Sequence, residues 1–332
     1  LTLLVMTDAG GAADRPRGAE NAALRYWMAF AQLENPIAAR DVARRLVPVA
    51  EGRAPWTAEL APVVDRNVQA LRTMHRGAQL AACDWGLEAE LLAAAPVAHV
   101  ARAHALWRLN VLYALRLVEQ GRSAEAADAW LAGLQFASHV SKGPLIAAYV
   151  AAGAQRAHLA TLVAAVLQGK FDRPTLRRLE QAVAAMPEHG FDWSSAVAIE
   201  LGMFRDVVRL AQERDTQTLL AAYFPRADGT LDRRQAVHVL GLGDSELDDR
   251  ARVVAILSRV EARYRDLEPR LLAALRAHVG SSRLFEEIDA RATADPVVAK
   301  VWSSTVRVND ARGQVAQARA ELLRALRARL RP

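Results

Sequence analysis

A single cysteine, Cys83, is all the thiol chemistry this chain has. That excludes an intramolecular disulfide and any multi-cysteine metal site. Lysine is almost as scarce, confined to Lys142, Lys170 and Lys300, so 40 of the 43 basic residues are arginine. Aromatic residues make up 6% of the chain, and no segment alternates polar and apolar residues for long enough to form a strand. Glycine-rich phosphate loops and nucleophile elbows are missing. The eight histidines are dispersed, and none forms the two-histidine, one-glutamate pattern of zinc proteases. His99 and His104 lie five apart, on different faces of a helix. No metal and no cofactor is therefore expected.

What is present is alanine, leucine and arginine, in a chain of 332 residues that is 52% hydrophobic and 24% charged. These side chains lose little rotamer freedom in a helix. Proline and glycine fall mostly between the apolar-periodic stretches. The expected fold is all-α, an irregular antiparallel array of helical hairpins, α-solenoid-like in arrangement. Three regions are expected. Residues 1–18 form a flexible segment, 19–224 a helical array, and 225–332 a C-terminal helical portion with a basic final helix.

Ala23, Tyr26, Trp27, Phe30 and Leu33 give the stripe of an amphipathic helix that Pro36 ends. A short helix at 38–47 and a longer one capped by Thr57 precede a turn at Cys83-Asp84-Trp85-Gly86. Residues 96–120 form an apolar helix closed by Gly121, and Ser123 opens the next. With small or apolar residues at Ala114, Ala126, Trp130 and Gly133, this hairpin resembles a tetratricopeptide unit. The Gln120-Gly121-Arg122 turn is echoed 48 positions later at Gln168-Gly169-Lys170. Residues 145–167 are apolar nearly all round, yet Gln155, Arg156 and His158 sit at their middle, where a charge in lipid is expensive. A buried central helix is expected there. Further helices are expected at 174–186, 192–214, 232–240, 244–279, 282–292 and 296–331, with a hinge near 225–229 and Gly241-Leu242-Gly243.

Among the carboxylates, Glu200 stands out because it shares a helix face with Val197, Leu201, Phe204, Val208 and Ala211. A buried carboxylate must be paired or have a raised pKa. Arg156 is its expected partner, with His158 and His75 in reserve. The favoured reading is a structural ion pair or hydrogen-bonded network; the sharper one makes Glu200 a general acid or base in a cleft near Arg156, Asp84 and Trp85. Asp228-Gly229-Thr230-Leu231-Asp232 lacks the ligand spacing of a calcium loop and reads as a turn with Asp232 as a helix cap. The net charge of +6 is concentrated in residues 307–332, where seven arginines face only Asp310 and Glu321. Arg312, Arg319, Arg324, Arg327 and Arg329 read as a solvated helix end, with phosphate backbones or anionic lipid as the alternative partners.

Two segments, Asn21-Ala22-Ala23-Leu24-Arg25-Tyr26-Trp27-Met28-Ala29-Phe30 and Cys83-Asp84-Trp85-Gly86, resemble those of an uncharacterised set of bacterial Ala/Leu/Arg-rich helical proteins. In that set the first segment commonly follows an export signal or hydrophobic anchor. The resemblance thus implies an exported or membrane-tethered helical domain, for which Leu1-Thr2-Leu3-Leu4-Val5-Met6 reads as the tail of such a signal. It carries no activity. The expected function is a non-enzymatic scaffold or interaction module that offers a protein or peptide partner a groove. The alternatives are an enzyme or ligand carrier with a cleft at Glu200, and a basic adaptor for nucleic acid or membrane.

Overall fold

The computed structural model describes residues 20–34, 40–87, 97–213, 215–224, 226, 230–276, 282–301 and 305–331. The expected N-terminal segment 1–18, Pro36, most of the 225–229 turn, and the side chains of Phe204, Val208 and Ala211 lie outside the described residues. Fifteen α-helices and no strand occur among those described. The all-α fold follows.

The first half of the chain comprises α1 (Ala22–Gln32), α2 (Arg40–Ala50), α3 (Ala61–Arg66), α4 (Val68–Ala78), α5 (Ala98–Glu119), α6 (Ser123–Val140), α7 (Leu145–Leu167) and α8 (Arg173–Ala185). The second comprises α9 (Trp193–Glu213), α10 (Thr216–Tyr223), α11 (Arg233–Leu240), α12 (Arg250–Arg276), α13 (Ser282–Thr293), α14 (Pro296–Val301) and α15 (Thr305–Leu330).

Local chemistry explains most of the ends. The Asp172 side chain accepts from the Thr175 N–H to cap α8, with Pro174 in its first turn, and Asp232 caps α11 as expected. The two echoing turns share one construction. Gly121 and Gly169 adopt φ of 72° and 71°, and the residue after each donates its N–H back five residues, Arg122 to Leu117 and Lys170 to Ala165. This is the glycine-dependent closure that satisfies a helix's last carbonyls. Several expectations fail: the helix expected at 244–279 divides into a 3₁₀ turn at 244–248 and α12, and the one expected at 296–331 into α14 and α15. Pro48 lies inside α2 rather than beyond it, and the helix continues only two residues past the hydrogen bond that this proline cannot donate. Thr57 makes no side-chain cap, because a 3₁₀ turn and α3 intervene before α4 begins.

Packing runs α1 on α4, α4 on α6, α5 on α6, and α6 on α7. Consecutive neighbours therefore account for the α5–α6–α7 layer. The last helix departs from that order: α15 returns to lie on α7 and α8, and it also packs against α13. Helix α7 is consequently enclosed by α5, α6, α9 and α15. It is long and apolar enough to cross a membrane by composition, and 67% of its most apolar window is buried inside the fold.

Far-UV circular dichroism should report a helix content near 80%, far above the ~30–35% of an average globular protein. A sizeable β signal would reject the architecture.

Candidate functional site

The two segments that carry the sequence resemblance meet in space. The Asn21 side chain accepts from Ala23 N, capping α1, and from Asp84 N, and it donates to Asp84 O at 2.8 Å. Ala22 N donates to Ala82 O alongside. One asparagine thus starts a helix and clasps a strap sixty-three residues away. The strap delivers Trp85 into an aromatic nest. Its ring stacks on His99 at 4.4 Å and on Tyr26 at 5.6 Å, and its indole N–H donates to His139 O at 2.8 Å. Tyr26 Oη meets His139 Nδ1 at 2.7 Å, and Gln135 closes on the other ring nitrogen at 2.9 Å. Asp84 and Trp85 are therefore parts of a packed clasp.

A second polar cluster lies between α4, α5, α6 and α7. His75 Nε2 contacts Asn110 Oδ1 at 2.7 Å. The Asn110 amide donates to Ala129 O at 2.8 Å and to His158 Nε2 at 3.0 Å, and His158 Nδ1 reaches Ala154 O at 2.7 Å. A carboxamide nitrogen can only donate, so His158 accepts at Nε2 and donates from Nδ1. Asn110 Oδ1 can only accept, which puts a proton on His75 Nε2. Every step has a donor and an acceptor with both histidines neutral. Gly133 makes the arrangement possible, since a Cβ there would stand 2.0 Å from His158 Nε2 and 2.5 Å from the Asn110 amide. The sequence expectations do not include Asn110, and Gly133 enters them only as a small packing residue of the hairpin. The signal was an asparagine between Leu109 and Val111 in an otherwise apolar stretch.

Glu200 does not meet Arg156. Its Oε2 accepts from Leu145 N at 3.2 Å, so the carboxylate sits at the N-terminus of α7, half-buried, with its pKa raised by burial and partly restored by that N–H. Arg156 lies eleven residues further along, about 16 Å away at the helical rise. It is exposed and donates to Gln314 of α15. The expected ion pair is corrected on distance alone. His158 and His75 are committed to Asn110 and do not serve Glu200 either.

The solvated reading of the basic helix also needs correction at Arg312, which is 1% exposed with its guanidinium over the Phe285 ring at 5.7 Å. Arg319 donates to the Val183 and Ala184 carbonyls at the end of α8, and Arg327 pairs with Glu180. These residues fasten α15 to α8, while Arg324 and Arg329 are exposed.

Among the described residues, a groove of about 580 Å³ lies between the turn after α2, the end of α5 and the second half of α7. Trp56 stands at one wall, its N–H held by Glu119 at 2.6 Å, and Leu115 and Val118 form another. The floor is Ala160 and Ala164, with Lys170 at the rim. Among the described residues no group of three or more His, Cys, Asp or Glu is placed to hold a metal ion. Comparison with protein-family models, curated proteins and solved structures finds no match.

Burial holds His99, His139 and His158 each near a pKa of about 4, well under the usual imidazole value. Each is neutral in the fold, while the unfolded chain protonates them below about 6.5. Stability is therefore full above that value and falls as pH drops toward 4, by about 1.4 kcal/mol per pH unit for each ring. Together the three rings remove on the order of 10 kcal/mol across that window, comparable with the ~5–15 kcal/mol of a typical domain. Acid unfolding followed by circular dichroism should show a midpoint between pH 4 and 5.5, and His99→Phe should move it downward.

Asn110→Ala strands two histidines and should cost about 3 kcal/mol in urea denaturation, whereas Arg156→Ala should cost under about 0.5 kcal/mol. Equal effects would remove the network from its central place.

Proposed function

We propose that this protein is a helical interaction module that holds an amphipathic peptide helix of a partner protein in the groove between α2, α5 and α7. The observation that carries this reading is the surface of α7 itself. A helix that is buried elsewhere leaves a stripe of Ala160 and Ala164 exposed along the groove at i and i+4, with Leu167, 63% accessible, beyond it. Small side chains one turn apart allow a second helix to approach at the short end of the usual ~8–10 Å interaxial range. Trp56, Leu115 and Val118 flank that stripe and supply the large apolar contacts that anchor recognition helices. The Glu119 bond to the indole N–H restricts the Trp56 ring, which lowers the entropy lost on binding. Lys170 at the rim favours an acidic residue at the edge of the partner helix.

Selection from a displayed library of random fifteen-residue peptides tests this. Enriched sequences should carry apolar residues at helical spacing with an acidic flank and bind in the micromolar range. Ala164→Arg and Trp56→Ala should each weaken them at least tenfold while leaving the circular dichroism spectrum unchanged. Failure to enrich any peptide, or peptides that bind Ala164→Arg as tightly as the parent, would reject the groove.

A further inference from the structure

Among the described residues, buried polar atoms without a hydrogen-bond partner include the terminal nitrogens of Arg312, Nε2 of His99, Nε1 of Trp107, Nε of Arg108, Oγ1 of Thr216 and Oε1 of Gln155. Arg312 and His99 are each covered by an aromatic ring. Gln155 instead lines a cavity of about 360 Å³ between α6, α7 and the end of α8.

Leu131 and Leu134 of α6 face Met186 and Pro187 across this cavity, with Gln135, Ser138 and Gln155 as the polar side chains. None of the residues lining it is charged. A charged ligand entering would lose its hydration with no counter-ion to receive it, so the chemistry favours a neutral one. The volume lies at the low end of the ~300–1,000 Å³ typical of ligand sites, which suits a single ring or a short branched chain.

The two carboxamides define the rest. Gln155 is 0% exposed, and its one hydrogen bond is a long 3.3 Å donation from Nε2 to Gly190 O. Gly190, at φ of 87°, presses so near that a Cβ would fall 1.9 Å from Gln155 Oε1. That oxygen is an acceptor sealed off without a donor, an arrangement that native interiors rarely keep. The terminal torsion of a glutamine is broad. Turning Oε1 into the cavity therefore exchanges one long bond for a shorter one to an incoming donor. Gln135 spends one end of its carboxamide on His139 Nε2 at 2.9 Å, which leaves the other end for the cavity.

We infer that the cavity binds a small neutral molecule with a carboxamide on an apolar body, its N–H received by Gln155 and its polar end flanked by Gln135 and Ser138. This site is separate from the peptide groove and stands whether or not that groove binds a peptide.

Benzamide and benzoate, which share shape and differ in charge, serve as probes in ligand-observed saturation-transfer NMR with titration. Benzamide should bind with a millimolar or tighter dissociation constant and benzoate at least tenfold more weakly. Gln155→Leu, which keeps a buried apolar side chain, should weaken benzamide at least fivefold. Ala185→Phe, a change at the exposed mouth that leaves the core untouched, should abolish binding by filling the entrance. The inference is overturned by the absence of benzamide binding up to its solubility, by equal binding of benzoate, or by affinity that survives Ala185→Phe.

Discussion

The structure turns on keeping a histidine neutral and satisfied in the middle of its most enclosed helix. His158 has no accessible surface, and burial alone would make a protonated ring there prohibitively costly. It is held by Ala154 O on one side and the Asn110 amide on the other. That requirement fixes the spacing of three helices. Helix α5 must present Asn110, α6 must pass with no side chain at Gly133, and α4 must bring His75 to complete the chain of donors. A shift of one residue in any of them leaves a buried polar atom without a partner. The network therefore specifies register in a core whose many alanines and leucines would accept several.

Around this centre, polar residues elsewhere tie together segments that are distant in the chain. Asn21 joins the start of α1 to the strap before α5, and Arg319 and Arg327 join the last helix to α8. Trp130 does the same between α6 and α7 through Thr161 at 3.0 Å. Such bonds are individually modest. Their value lies in selecting one docking among helices whose apolar faces are alike.

The return of α15 onto α7 also shapes what the protein can present. It packs along α7, where Arg156 meets Gln314, and leaves Ala160 and Ala164 uncovered beside Trp56. The groove is thus what remains of the α7 surface after its neighbours have packed. The smaller cavity near Gln155 arises similarly, where α8 ends and the backbone turns through Gly190.

Helix positions and the all-α class were legible because apolar periodicity, caps and glycine turns are local: Leu145 and Leu167 bound α7 as expected, and Asp232 caps α11. The burial of α7 was legible too, from the cost of placing Arg156 and His158 in lipid. Pairing was not. Glu200 and Arg156 share complementary charges and adjacent apolar faces, but only the tertiary arrangement decides that one meets the N-terminus of α7 while the other faces α15. Periodicity assigns a residue to a face, whereas partnership depends on position along the axis of a neighbouring helix. Arg312 gives the same lesson, since a basic helix looks solvated until another helix supplies the ring that covers it. The sequence by itself determined which segments are helical and where they stop. Which polar side chains meet, and which strip of α7 stays open, was decided by how those helices stack.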